Sequence, residues 1–168
     1  MNQAHLHLLF NHLPILGTLF GLLVLGTGIF LKNNSVKRVA LGMFVLSAIT
    51  AIPAYLTGEG AEEVVESLPG VSENLIEKHD ELANIFLWMV GGLGLLSLST
   101  FYADFKSKKM APTLYTLTLI AAIGTMIFAQ QVGSSGGEIR HTEIRSSAAA
   151  VNAENPQAGG GENGDDDD

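Results

Sequence analysis

Residues 7–31 read HLLFNHLPILGTLFGLLVLGTGIFL, and none of them is Asp, Glu, Lys or Arg. An apolar helix needs about 20 residues to cross a hydrocarbon core of roughly 30 Å, and this stretch supplies them. A soluble helix would carry a polar stripe at helical spacing, and none is present. The charge-free run begins at residue 1, and others cover 39–58, 82–103 and 110–137. Four such runs predict an all-α fold, an antiparallel four-helix transmembrane bundle. The spans are expected at about 9–31, 39–57, 82–103 and 112–132, within one domain over about 1–145.

The 168-residue chain is 47% hydrophobic yet has a formal net charge of −8. Mapping charge by position removes the conflict. Lys32, Lys37 and Arg38 follow the first span, and Lys106, Lys108 and Lys109 follow the third. The connection 57–81 holds eight acids and one lysine, and the segment after Gly133 holds eight more acids. Positive loops stay cytoplasmic, so both termini are expected outside, in a multi-pass protein of the bacterial inner membrane. Asp104 is the one acid on the basic side. The first run has no basic n-region and is too long for a cleaved signal peptide. The acidic tail 146–168 is poor in apolar residues and is expected to be disordered.

With no cysteine, disulfides, thiolate metal sites, iron–sulfur clusters and covalent haem attachment are all excluded. No nucleophile-elbow, zinc-protease or P-loop pattern occurs, so the reading leans away from an enzyme. A basic nucleic-acid surface is absent as well. A transporter or channel is disfavoured because no charged residue lies within a span.

Smaller signals agree with the spans. Pro14 and Pro112 suit first-turn positions, and Tyr55, Tyr102 and Tyr115 fall near span ends, as interfacial aromatics do. Gly17 and Gly21 make one small-residue step, and Gly91, Gly92, Gly94 and Ser97 another, letting helices approach closely in lipid. In the acidic connection, 61–68 reads as a short amphipathic helix ended by Pro69 and Gly70. Ser72 then caps a helix running through Glu77, His79 and Asp80 into the third span.

All five histidines, His5, His7, His12, His79 and His141, fall on the expected outer side. The residue before a proline avoids helical angles, so a break is expected at Leu13, with 4–12 at the interface or tilting out of the bundle. If that segment is helical, His5 and His12 share a face and His7 points elsewhere. His5 and His7 read as snorkelling interfacial groups. His12 and His79 are expected at one depth, with His141 following a flexible GSSGG. Imidazoles so grouped can bind a transition metal such as Cu, Fe or Zn, or haem b. Glu77, Asp80, Glu138 and Glu143 would orient ring N–H groups, and Arg140 would meet a haem propionate.

Four pieces of the chain, HLLFNHLPILGTLFGLL, AIPAYLTGEGAEE, EKHDELANIFLW and GSSGGEIRH, stand in a telling order. Over about residues 5–141 the chain resembles the bacterial membrane proteins catalogued as domain-of-unknown-function family 2231. His12, Pro14 and Ile15 match that family's opening motif. Thr57 and Gly58 match its second-span ending, His79 its third-span histidine, and Gly136, Gly137 and His141 its closing motif. Because members often accompany c-type cytochrome modules, the resemblance implies redox work.

The leading expectation is therefore a small membrane redox protein. His12 and His79 would be its cofactor or metal ligands, with His141 as alternate ligand and Arg140 beside them. Its partners would be the lipid bilayer and a periplasmic redox protein or larger membrane complex, steered by the acidic outer face. The alternative is a cofactor-free accessory membrane subunit that packs against partners through its glycine faces.

Overall fold

The computed structural model describes residues 2–145, so the expected disordered tail 146–168 lies outside the described residues. Among those residues the chain forms α1 (Gln3–Phe10), α2 (His12–Phe30), α3 (Asn34–Leu56), α4 (Gly58–Glu66), α5 (Glu73–Phe105), α6 (Ala111–Arg140) and a 3₁₀ turn, Thr142–Ile144. Four helices are long and apolar enough to cross a membrane: Gln3–Phe30, Asn34–Leu56, Glu73–Phe105 and Ala111–Arg140. The first of these joins α1 and α2 across Asn11, whose own angles are helical.

The break thus falls at Asn11 rather than at Leu13. Pro14 has no N–H to give the Phe10 carbonyl, and its ring crowds that same carbonyl. The disturbance therefore appears just after Phe10, at Asn11, and Leu13 stays helical.

Lipid tails are as apolar as leucine, so apolar side chains gain little by facing one another in a bilayer. The pattern of burial follows. Phe30 is 85% exposed and Trp88 76%, and Leu46, Leu95, Ile120 and Ile127 also face outward. The inward stripes are largely small or hydroxylated: Thr18, Gly21 and Gly28 on α2; Ala40, Ser47, Ala51 and Ala54 on α3. Gly94, Ser97, Thr100 and Ala103 continue the pattern on α5, as do Thr118, Ala122, Thr125 and Ala129 on α6. Larger residues fill two layers between these stripes. One gathers Leu25, Leu41, Phe44, Leu93 and Tyr115, the other Phe86, Val90 and Val132.

Buried hydroxyls need internal partners. Thr18 donates to the Pro14 carbonyl, Ser47 to Met43 and Thr125 to Ala121, each one turn back along its own helix. Thr100 and Thr118 also meet across α5 and α6 at 2.9 Å. Interhelical bonds of this kind average about 0.6 kcal/mol.

Close approach sets how α2 lies on α3. A Cβ on Gly21 would stand 2.6 Å from the Phe44 ring, and one on Gly28 would stand 2.8 Å from the Lys37 backbone nitrogen. Gly17 likewise faces Ser47, and Gly94 of α5 faces Ala48. Of the second small-residue patch, Gly91 and Gly92 have open space beside them and contribute nothing to packing within the chain.

The two basic connections share one construction. Lys32 has φ 51° and Ser107 has φ 50°. Asn33 N–H reaches the Gly28 carbonyl at 2.9 Å, and Lys108 N–H reaches the Ala103 carbonyl at 2.8 Å. With the Lys32-to-Ile29 and Ser107-to-Asp104 bonds, each forms a Schellman turn that satisfies helix-end carbonyls. Asn33 then accepts from Val36 N–H and starts α3. Asp104, the one acid among these lysines, is explained here. Its carboxylate accepts from Arg38 Nε at 2.6 Å and is only 10% exposed. It is a structural partner of Arg38, not an exception to the charge pattern.

Gly28→Ala is expected to destabilise the bundle by roughly 1–3 kcal/mol, because the added methyl meets backbone that cannot swing away. Gly42→Ala, with nothing within 4 Å of its position, is expected to be neutral or to gain up to about 1 kcal/mol. Reversible unfolding of both variants in mild detergent checks the contrast.

Candidate cofactor site at the histidine end

His7 of α1 is anchored on α3, and His79 of α5 on α6. The carbonyl of Ala54 lies in the last turn of α3, where no backbone N–H among the described residues pairs with it. His7 Nδ1 reaches it at 2.9 Å. A carbonyl only accepts, so Nδ1 carries the proton and donates. Thr57 donates to the Pro53 carbonyl at 2.7 Å and also lies against Ala54 O, closing the end of α3.

His79 is held in the same manner from the other side. Its Nδ1 stands 2.9 Å from Ser135 Oγ. Ser135 sends its own proton to the Val132 carbonyl at 2.9 Å, so the imidazole donates and the hydroxyl accepts. Gly136 gives the ring room, since a Cβ there would lie 2.9 Å from His79 Cε1. Both rings are half-buried. With Nδ1 fixed as donor, each neutral imidazole keeps its Nε2 lone pair free. That second-atom anchoring is what orients a ligating histidine and sets its tautomer.

His12 is exposed, on the same outward face as His5, in keeping with their sequence spacing. The segment carrying His7 does not tilt out of the bundle; α1 packs on the ends of α3 and α4. His141 is also exposed, and its Nδ1 pairs with Glu143 at 2.9 Å. The stretch 133–137 is not a flexible link, because α6 runs through it to Arg140. Ser135 is buried there and the His79 ring covers Gly136. Arg140 is exposed. Of the expected orienting acids, Glu138 meets Lys78 at 3.4 Å and Glu143 meets His141. His12, His79 and His141 form no metal-holding group, and no cluster of three or more His, Cys, Asp or Glu side chains with that capacity occurs among the described residues.

No family model, curated protein or solved structure matches this chain.

Several contributors had no label in the sequence. Asn11 lies one turn below His7 on the same face, and its buried Oδ1 has no partner among the described residues. Arg145 donates to the carbonyls of Glu138, Ile139 and Gly70, tying the segment after α6 to the connection before α5. Ser72 occupies the expected N-cap of α5, but its backbone carbonyl rather than its side chain receives the first helical N–H groups. The short helix of the acidic connection begins at Gly58, three residues before its expected start.

Beside the site, desolvation holds the Glu62 carboxyl above its ordinary range, with Glu66, Asp80, Glu59 and Glu73 adding repulsion. The Glu143 carboxyl is held low, chiefly by its own backbone N–H and then by His141.

Two outcomes are expected. Long-range proton–nitrogen correlation spectra should show His7 and His79 in the Nδ1–H tautomer; an Nε2–H tautomer at His7 would break the assignment. Glu62 binds its proton more tightly when folded. Its contribution is therefore full below the ordinary value of 4.5 and is lost as pH rises through the folded value. Glu62→Gln should flatten that acid-side dependence in a pH series of thermal unfolding.

Proposed function

We propose that this chain is a small redox protein of the bacterial inner membrane that binds haem b between His7 and His79. The supporting observation is the pair itself: two imidazoles from different helices, each with Nδ1 anchored on oxygen and Nε2 left free. Two protein donors suit a porphyrin, which brings four nitrogens of its own, better than a bare ion, which takes three or more protein ligands. Gly136 supplies clearance at the His79 ring, and exposed Arg140 is the nearest sequence neighbour able to meet a propionate. A haem so held supplies one-electron chemistry.

In this reading the four helices run antiparallel with both termini outside. Gly17 facing Ser47, Gly21 facing Phe44 and Gly28 facing Lys37 support the opposed direction of α2 and α3. The basic connections support a cytoplasmic position for the other end. The haem end is then periplasmic, and the acidic residues from Glu59 to Glu81 attract a basic redox partner from that side. Membership of domain-of-unknown-function family 2231 belongs to the same proposal.

The test is the spectrum of the full chain, purified in mild detergent after growth with haem supplied. A Soret band that shifts on reduction is expected, with haem occupancy falling roughly tenfold or more in His7→Ala and His79→Ala. His12→Ala and His141→Ala should keep it. Colourless protein, or haem unmoved by the His7 and His79 variants, overturns the proposal in favour of a cofactor-free accessory subunit.

A further inference from the structure

At the opposite end of the bundle an open groove of about 500 Å³ runs between the end of α5 and the start of α6. Its lining includes Leu98, Ser99, Tyr102, Lys108, Met110 and Leu114. Lys108 follows the left-handed Ser107 in the Schellman turn, so its backbone is fixed by the bond to Ala103. Its ammonium lies 4.8 Å from the centre of the Tyr102 ring, which holds the charge at the groove rather than out in water.

We propose that this groove is a binding site for one anionic phospholipid, with an acyl chain along the Leu98–Leu114 wall and the phosphate at Lys108. Charge complementarity argues for that occupant. Lys106 and Lys109 flank Lys108, and Asp104, the one acid nearby in sequence, is already engaged by Arg38. The first turn of α6 has no acidic residue and no side-chain cap, so its helix dipole adds positive potential. A basic mouth above an apolar channel between membrane helices is the form that lipid headgroup sites take. The inference is independent of the histidine site.

The experiment is native mass spectrometry of the full-length protein, exchanged against equal amounts of phosphatidylglycerol and phosphatidylcholine with matched chains. One phosphatidylglycerol should be retained roughly fivefold or more over phosphatidylcholine. Lys108→Gln should remove that preference while Lys32→Gln, on the other basic connection, should keep it. Ser99→Trp fills the groove without changing charge and should lower retention of both lipids. Equal retention of the two lipids overturns the proposal. So does an equal loss in the Lys32 and Lys108 variants, which would mean diffuse attraction, or a second copy of the chain occupying the groove in place of lipid.

Discussion

The architecture depends on how closely α2 can lie against α3. At Gly17, Gly21 and Gly28 the α3 side chains and backbone occupy the space where side chains would otherwise begin. In a bilayer such contact is the main attraction between helices, since burying apolar surface gains nothing over lipid. The same contact fixes register. With Gly21 seated on Phe44 and Gly28 on Lys37, the helix can continue upward only so that His7 arrives at the Ala54 carbonyl. One turn of slippage would take the imidazole away from that carbonyl and leave it only the Thr57 hydroxyl.

The all-helical fold and the four membrane-crossing helices were legible, because 20-residue apolar runs without charge have few physical meanings. The helical face shared by His5 and His12 was legible too. The choice between helix faces was harder to read. Depth at the membrane boundary drew attention to His12, which is exposed, whereas the inward stripe carries His7 and His79. That stripe is written in small residues. Counting back from Gly28 through Leu25, Gly21, Thr18 and Pro14 in steps of three and four leads to Asn11 and His7. The same count down α5 from Ser97 through Gly94, Val90, Phe86 and Ala83 leads to His79. Leucine marks neither side: Leu25, Leu41 and Leu93 are buried, while Leu23, Leu46 and Leu95 face outward.

Other features were beyond reach of spacing. Glycines at 136 and 137 suggested a flexible link, yet the His79 ring lies against Gly136 and α6 continues. A glycine costs helix stability in isolation; here an imidazole occupies the space that its missing side chain leaves. The pairing of Arg38 with Asp104 joins residues 66 positions apart, and no local pattern announces it. Schellman turns at Lys32 and Ser107 were equally silent, since neither residue is the glycine that usually signals one.

The two ends of the bundle are built for different tasks. At the basic end, helix-end carbonyls are satisfied locally by the turns themselves, and the ion pair of Arg38 and Asp104 joins α3 to α5. Nothing there requires a distant side chain to finish a helix. At the other end, α3 is finished by an imidazole from α1, and an α6 serine is engaged by an imidazole from α5. Finishing α3 with a histidine rather than with backbone leaves a second ring nitrogen over, and the bond between His79 and the Ser135 hydroxyl, in the body of α6, leaves another. A glycine cap or a lysine would satisfy a carbonyl as well, but neither carries a spare lone pair. The use of imidazole at both places is the feature that packing alone does not require.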